Sequence, residues 1–253
     1  MQKKLTEEYR LAERVRRRLR EGIREFGLIE QNDHILIGVS GGKDSLALLE
    51  LLGEVMRHSN RKFRLSALHV RMENVGYAGD VGYLEKMASV SGISFHVRTG
   101  GFSADRESGR SPCFLCSWNR RKIMFETARE LGCNKIALGH HQDDILHTAL
   151  MNLMFSGSFS TMPVWLRMRK FPITLIRPLC KEHEEDLRTW AGMRSYRPLE
   201  KSCPYETVSN RTSVREQFKN MERISPEFRY HLWHALMKEG KLVEDESCPV
   251  RSE

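Results

Sequence analysis

The chain is poor in cysteine and proline, with 6 and 8 among 253 residues, and only 8% of it is aromatic. So few cysteines in so long a chain exclude a small secreted fold stapled by disulfides. No stretch reaches the roughly 20 apolar residues that cross a bilayer. The opening segment, MQKKLTEEYRLAERVRRRLREG, contains no apolar core of a secretory signal. These absences predict a cytoplasmic protein with reduced thiols and no membrane partner. Internal repeats and low-complexity segments are missing too. What is present, 40% hydrophobic and 29% charged residues, suffices for a packed core and excludes a disordered chain.

Positive charge is unevenly spread, with 41 Lys and Arg against 33 Asp and Glu, a net +8. Residues 1–25 hold nine Lys/Arg and five Glu, and Arg16, Arg20 and Arg24 recur at four-residue steps. Residues 110–122 hold four basic and no acidic residues; residues 161–181 hold five and none. The last fifteen residues invert this, with five acids and two bases. Three basic patches beside a nucleotide-binding turn favour a nucleic-acid partner over merely solvated helix faces.

Periodicity divides the chain into a basic helix over 1–27, an α/β domain over 28–191 and a smaller helical appendage over 192–253. Tyr9, Ala12, Val15, Leu19, Ile23 and Phe26 make the apolar stripe of the first helix, which Gly27 ends. Short apolar runs predict strands at His34–Val39, Phe63–Val70, Ile93–Val97, Lys135–Leu138 and Ile173–Ile176. Helices are expected over Asp44–Met56, Tyr83–Val90, Phe114–Leu131, Asp143–Phe155 and Glu182–Ala191, with a polar loop over Gly100–Pro112. Two further helices, Thr212–Glu222 and Phe228–Met237, fall in the appendage. The alternation predicts a doubly wound, mostly parallel sheet covered on both faces. Ligands of such sheets bind beyond the carboxyl ends of the strands.

After the first strand comes Ser40-Gly41-Gly42-Lys43-Asp44-Ser45, and then a helix. Two glycines let backbone N–H groups turn towards a ligand, the helix start adds unpaired donors, and Lys43 adds a full charge. The turn is an anion cradle. It is not a Walker A loop, because Ile37 stands where that motif needs glycine and Asp44 where it needs Ser or Thr. SGGKDS resembles the PP-loop of the N-type ATP pyrophosphatases, a Rossmann-like superfamily that splits ATP into AMP and pyrophosphate. The resemblance implies adenylation of a carbonyl oxygen, which converts a poor leaving group into AMP.

After the fourth strand stands Gly139-His140-His141-Gln142-Asp143-Asp144. Adjacent carboxylates can ligate Mg²⁺ shared with substrate phosphates. One of them can equally cap the following helix. Cys113 and Cys116 form a CxxC at the start of the basic segment CSWNRRK; Cys203 lies far off, and Cys133, Cys180 and Cys248 stand alone. Zinc, a redox disulfide and a three-cysteine iron–sulfur cluster all remain open on these residues alone. Trp118, beside the CxxC, reads as core rather than as a stacking surface.

In combination, SGGKDS, CxxC, GHHQDD, the RPL of Arg177–Leu179 and a third cysteine before a terminal helix resemble the tRNA 2-thiocytidine synthetase (TtcA-like) family. The likeness runs from about Asp33 to Phe218. It departs after Cys203, where Pro204-Tyr205-Glu206 replaces a second nearby cysteine of typical bacterial members. The resemblance implies ATP and Mg²⁺ held by Ser40, Gly41, Gly42, Lys43, Asp44, Ser45, Gly139 and His140, with Lys43, Asp44, Asp143 and Asp144 catalytic. It implies a [4Fe-4S] cluster on Cys113, Cys116 and Cys203. It implies tRNA as partner, a sulfur donor such as a cysteine desulfurase persulfide or free sulfide, and is compatible with a homodimer. The expected activity is thiolation of a tRNA cytidine. The alternatives are a PP-loop ligase using an amine nucleophile and a non-enzymatic iron–sulfur or nucleotide-binding RNA regulator.

Overall fold

The computed structural model describes residues 2–102, 111–169, 171–203 and 210–245. Its first element is α1 (Gln2–Glu25). Leu11, Val15, Leu19 and Ile23 face inward at four-residue steps, whereas Tyr9, expected in that stripe, is 68% exposed. Gly27, at φ 58°, takes the left-handed conformation that ends the helix. Arg14 and Arg18 donate to Asp186 and Arg16 to Glu54, so three of the nine basic residues of the segment are spent on the fold.

The remaining elements are β1 (His34–Gly38), α2 (Lys43–His58), β2 (Arg64–Met72), β3 (Gly76–Ala78), α3 (Val81–Val90), β4 (Ser94–Gly100), α4 (Pro112–Glu130) and β5 (Lys135–Ala137). After them come α5 (Gln142–Ser156), β6 (Trp165–Arg167), β7 (Thr174–Ile176), α6 (Glu184–Met193), β8 (Glu200–Ser202), α7 (Asn210–Ile224), α8 (Phe228–Lys238) and β9 (Val243–Asp245). Every expected strand and helix is present within a few residues; α6 begins at Glu184, two residues later than its periodicity indicates. Of the expected loop, residues 103–110 lie outside the described ones. Ser111 caps α4 by accepting from Phe114 N, and Pro112 fills the first turn, where no donor is needed. Four three-residue strands, β3, β6, β8 and β9, had no periodic pattern to announce them.

Seven strands form one sheet in the order β4-β2-β1-β5-β7-β6-β9. All its pairs are parallel except β6 with β7. Alternate residues serve opposite faces. Ile35 and Ile37 of β1 join the larger core with α1, α2, α5 and α6, while Leu36 joins Phe125 and Ala128 of α4. The sheet is therefore doubly wound and mostly parallel, with both faces of its central strands covered. Val214, Phe218, Trp233 and Leu236 of α7 and α8 also enter the larger core, and β9 pairs with β6.

The candidate nucleotide and sulfur-transfer site

From β1 the chain runs outward through β2 to β4; from β5 it runs the other way through β7. Strands β1 and β5 are neighbours, so the order reverses between them. That reversal opens a crevice at the strands' carboxyl ends, the usual ligand site of such sheets. SGGKDS leaves β1 and GHHQDD follows β5, so both motifs face this crevice.

The two motifs touch. A Cβ on Gly139 would meet the backbone of Asp44 and Ser45 at 3.1 Å, so only glycine lets the β5 turn approach the PP-loop helix this closely. Within the loop, Ser45 Oγ donates to Gly42 O at 2.8 Å, and Ser40 Oγ accepts from Gly42 N at 3.3 Å. No side chain caps the start of α2, which leaves its first N–H groups available to an anion. Lys43 Nζ lies 2.9 Å from both carboxylate oxygens of Asp44 and 3.9 Å from Glu184.

Asp143 and Asp144 differ in surroundings. Asp143 accepts from Glu184 N and from Arg229 Nη2, each at 2.8 Å. Burial alone would raise its pKa, but His141 and Arg229 hold the carboxyl far below the ordinary range. Asp144 accepts from His141 N at 3.2 Å, and its side chain keeps 26% exposure against 10% for Asp143. Of the two, Asp144 is the carboxylate available to a ligand. His140 accepts from Arg177 Nε at 3.3 Å, and burial, then Arg177, pushes its pKa down to about 4, so it stays neutral. Arg177 donates to Pro163 O, and burial lowers it to about 10. The opposite holds for His141: burial would lower it, yet Asp143, Asp144 and Asp44 raise it.

The sequence predicts α7 as a helix but does not place its arginines beside this crevice. Arg211 and Arg215 of α7 line a small cleft of about 40 Å³ with His140, Asp144 and His147. Their four-residue spacing in Asn-Arg-Thr-Ser-Val-Arg was the available signal. Arg229, 86 positions from Asp143, had none.

Cys113, Cys116 and Cys203 form no disulfide and have solvent access, one exposed and two half-buried. Cys133 and Cys180 are buried to 5% and 0%, and burial pushes Cys133 up to about 11 and Cys180 higher. Among the described cysteines, Cys113, Cys116 and Cys203 are the accessible ones, Cys248 lying outside the described residues, and soft thiolates suit an iron–sulfur cluster. Among the described residues no three His, Cys, Asp or Glu side chains are already gathered around one point. The backbone nevertheless ties Cys203 to the loop. Leu199 N donates to Gly41 O at 3.0 Å, and a Cβ on Gly41 (φ 88°) would meet the Leu199 side chain at 2.8 Å. β8 begins at the next residue and ends at Ser202, where Cys203 follows; four extended residues span about 13 Å. Trp118, expected in the core, is 51% exposed one turn beyond the cysteine pair, with Lys122 Nζ 5.7 Å from its ring.

A doubly wound sheet with an uncapped, glycine-lined turn at its switch point defines a nucleotide-binding α/β protein. The profile of the PP-loop domain family matches residues 11–222. The tRNA-cytidine(32) 2-sulfurtransferase of Bdellovibrio bacteriovorus is 32% identical over 220 residues, 85% of this chain and 84% of that protein. Its counterpart in Pseudomonas syringae is 32% identical over 90% of this chain and 84% of its own. Among solved structures, the U34-tRNA thiolase NcsA of Methanococcus maripaludis, with its [4Fe-4S] cluster, aligns with a TM-score of 0.74 at 26% identity. That alignment covers 96% of this chain and 87% of NcsA. The chain belongs to the PP-loop family and, within it, to the tRNA-cytidine(32) 2-sulfurtransferases.

Proposed function

We propose that the chain is an ATP-dependent tRNA sulfurtransferase that adenylates the C2 carbonyl oxygen of a tRNA cytidine and replaces that oxygen with sulfur. The observation that carries this reading is Leu199 seated on Gly41, from which β8 leads to Cys203. It joins the phosphate loop and a candidate sulfur-chemistry thiol in one short connection.

On binding ATP, the loop amides and the start of α2 hold the phosphates, and Lys43 exchanges Asp44 for them. Asp44 and Asp144 would hold Mg²⁺, which would offset charge on the phosphates. Asp143 is a positioning residue that fixes the start of α5 against α6 and α8. The cytidine oxygen attacks the α-phosphorus, the bond to the β-phosphate breaks, and pyrophosphate leaves with the electron pair. Lys43 and the amides stabilise the developing charge. A sulfur nucleophile then attacks C2, and AMP departs carrying the original oxygen. A [4Fe-4S] cluster on Cys113, Cys116 and Cys203 would supply an iron without a protein ligand, at which sulfur is bound for delivery. On this reading the donor is free sulfide, or a cysteine desulfurase persulfide whose outer sulfur a thiol reductant releases at the sulfide level, the setting is the cytoplasm, and two chains pair as a homodimer. Among the described residues, no helix is long and apolar enough to cross a membrane.

Anaerobic incubation with ATP, Mg²⁺, sulfide and an unmodified tRNA transcript tests the reading. It predicts AMP and a thiolated cytidine in equal amounts. AMP with an amine adduct on the base would favour a ligase, and ATP binding without turnover would favour a regulator.

A further inference from the structure

One groove lies away from the ATP crevice. It measures about 710 Å³ and runs between α1, α2 and the turn before β2. α2 starts at the PP-loop and its last turn lines the groove. Residues from Leu51 to His58 of α2 line it, so at about 1.5 Å per residue the groove lies roughly 12 to 22 Å along the helix from Lys43.

The floor is apolar, built by Leu19, Ile23, Leu51 and Phe63. Its walls carry five arginines and two glutamates. Both glutamates are spent on one arginine: Arg16 lies 3.6 Å from Glu13 and 2.8 Å from Glu54. The other four, Arg20, Arg24, Arg57 and Arg61, are exposed, and among the described residues none has a carboxylate within 4.0 Å. Arg61 is oriented by donating to Ile29 O at 2.7 Å, and Arg20 by donating to Arg16 O at 3.1 Å. Arginines fixed by backbone carbonyls keep further N–H donors for a ligand.

We propose that this groove is a second docking surface for the RNA substrate, in which Arg20, Arg24, Arg57 and Arg61 contact backbone phosphates and the apolar floor takes an unstacked base or ribose faces. The inference rests on the tRNA reading above and extends it to a surface that no catalytic motif touches. Charge complementarity selects the occupant. A surplus of unpaired arginines calls for an anion, and the groove is too long for one small anion. A polyanion can occupy the crevice and the groove at once, roughly 12 to 22 Å apart along α2. Arginine over an apolar floor also suits RNA, whose unpaired bases present flat apolar faces.

The test measures binding of an unmodified tRNA transcript by fluorescence anisotropy between 0.05 and 0.3 M salt, for wild type and two triple variants. Arg24→Gln/Arg57→Gln/Arg61→Gln should weaken binding at least about tenfold and reduce the salt slope by about 2 to 3, close to 0.9 per lost phosphate contact. Arg24→Lys/Arg57→Lys/Arg61→Lys should keep the slope, because charge is retained. ATP binding without RNA should match wild type in both, since the crevice is untouched. A glutamine variant that keeps wild-type affinity and slope overturns the groove while leaving the function intact. A lysine variant as defective as the glutamine one also overturns it, since loss would then not track charge. Wild-type protein that binds no tRNA overturns the functional reading, and the groove with it.

Discussion

Arg229 Nη2 lies 2.8 Å from Asp143 Oδ1, so a residue of α8 holds one carboxylate of the GHHQDD turn and leaves its neighbour Asp144 to the crevice. The two acids should fail in different ways. Asp144→Asn should cut tRNA-dependent pyrophosphate release about 100-fold with little change in melting temperature. Arg229→Ala strips a mostly buried partner from Asp143, a loss worth about 3 kcal/mol or more, and should lower the melting temperature by roughly 6–12 °C. Thermal scans beside a pyrophosphate assay check both. Equal loss of stability in the two variants would contradict the division of roles.

Lys43 and Asp44 pair with each other at the crevice, each about one quarter exposed. Neither Lys43→Ala nor Asp44→Ala leaves a deeply buried charge, so both proteins should fold normally. Each should lose about 100-fold or more in pyrophosphate release, as expected when a charge contact to the transition state is removed. Near-normal turnover in either would remove that residue from the reaction.

Glu182 is fully buried, and among the described residues neither carboxyl oxygen has a hydrogen-bond partner. Burial pushes its pKa up to about 8 despite Arg18 at 4.0 Å. The folded protein therefore keeps this proton where the unfolded chain has released it. Its contribution is fully present below the ordinary carboxylate range, near 4.3, and is lost as pH rises through about 8. Histidines such as buried His69 and half-buried His147, lowered by desolvation, slope the other way, so the comparison must be with a variant. The stability of Glu182→Gln relative to wild type should rise steadily from pH 5 to 8. A flat difference curve would show that Glu182 is ionised in the fold.

Trp118 presents half its surface to solvent beside the cysteine pair, whereas Trp190 and Trp233 are buried to 1% and 8%. If substrate RNA reaches the cysteines, tRNA should quench tryptophan fluorescence, and Trp118→Phe should remove most of the quench. Quenching that persists in the variant would place the RNA elsewhere.

The parts legible in the sequence are those encoded locally. The inner strands were visible because a parallel strand dry on both faces is a continuous apolar run, as in His34–Gly38, whereas β4 at the sheet edge is largely exposed. SGGKDS was visible because glycine, charge and strand–helix context lie within six residues. The rest depends on partners distant in sequence. β8 exists because Gly76–Ala78 lies opposite it, not because Glu-Lys-Ser favours a strand. Arg16 looked like an RNA contact on its helix face, yet Glu54 engages it and its guanidinium stacks 5.4 Å from the Trp190 ring. Trp118 read as core by composition, but the first turns of α4 run past the edge of the packed layer.

The central claim is that the phosphate loop and three thiols, Cys113, Cys116 and Cys203, form one sulfur-transfer centre. Iron content after anaerobic purification tests it most directly, measured in single Ala variants of those three and of the buried Cys180. The account predicts about four irons per chain in wild type and Cys180→Ala, and loss of iron in Cys113→Ala, Cys116→Ala and Cys203→Ala. Full iron in Cys203→Ala with none in Cys180→Ala, or one zinc and no iron in wild type, would contradict it.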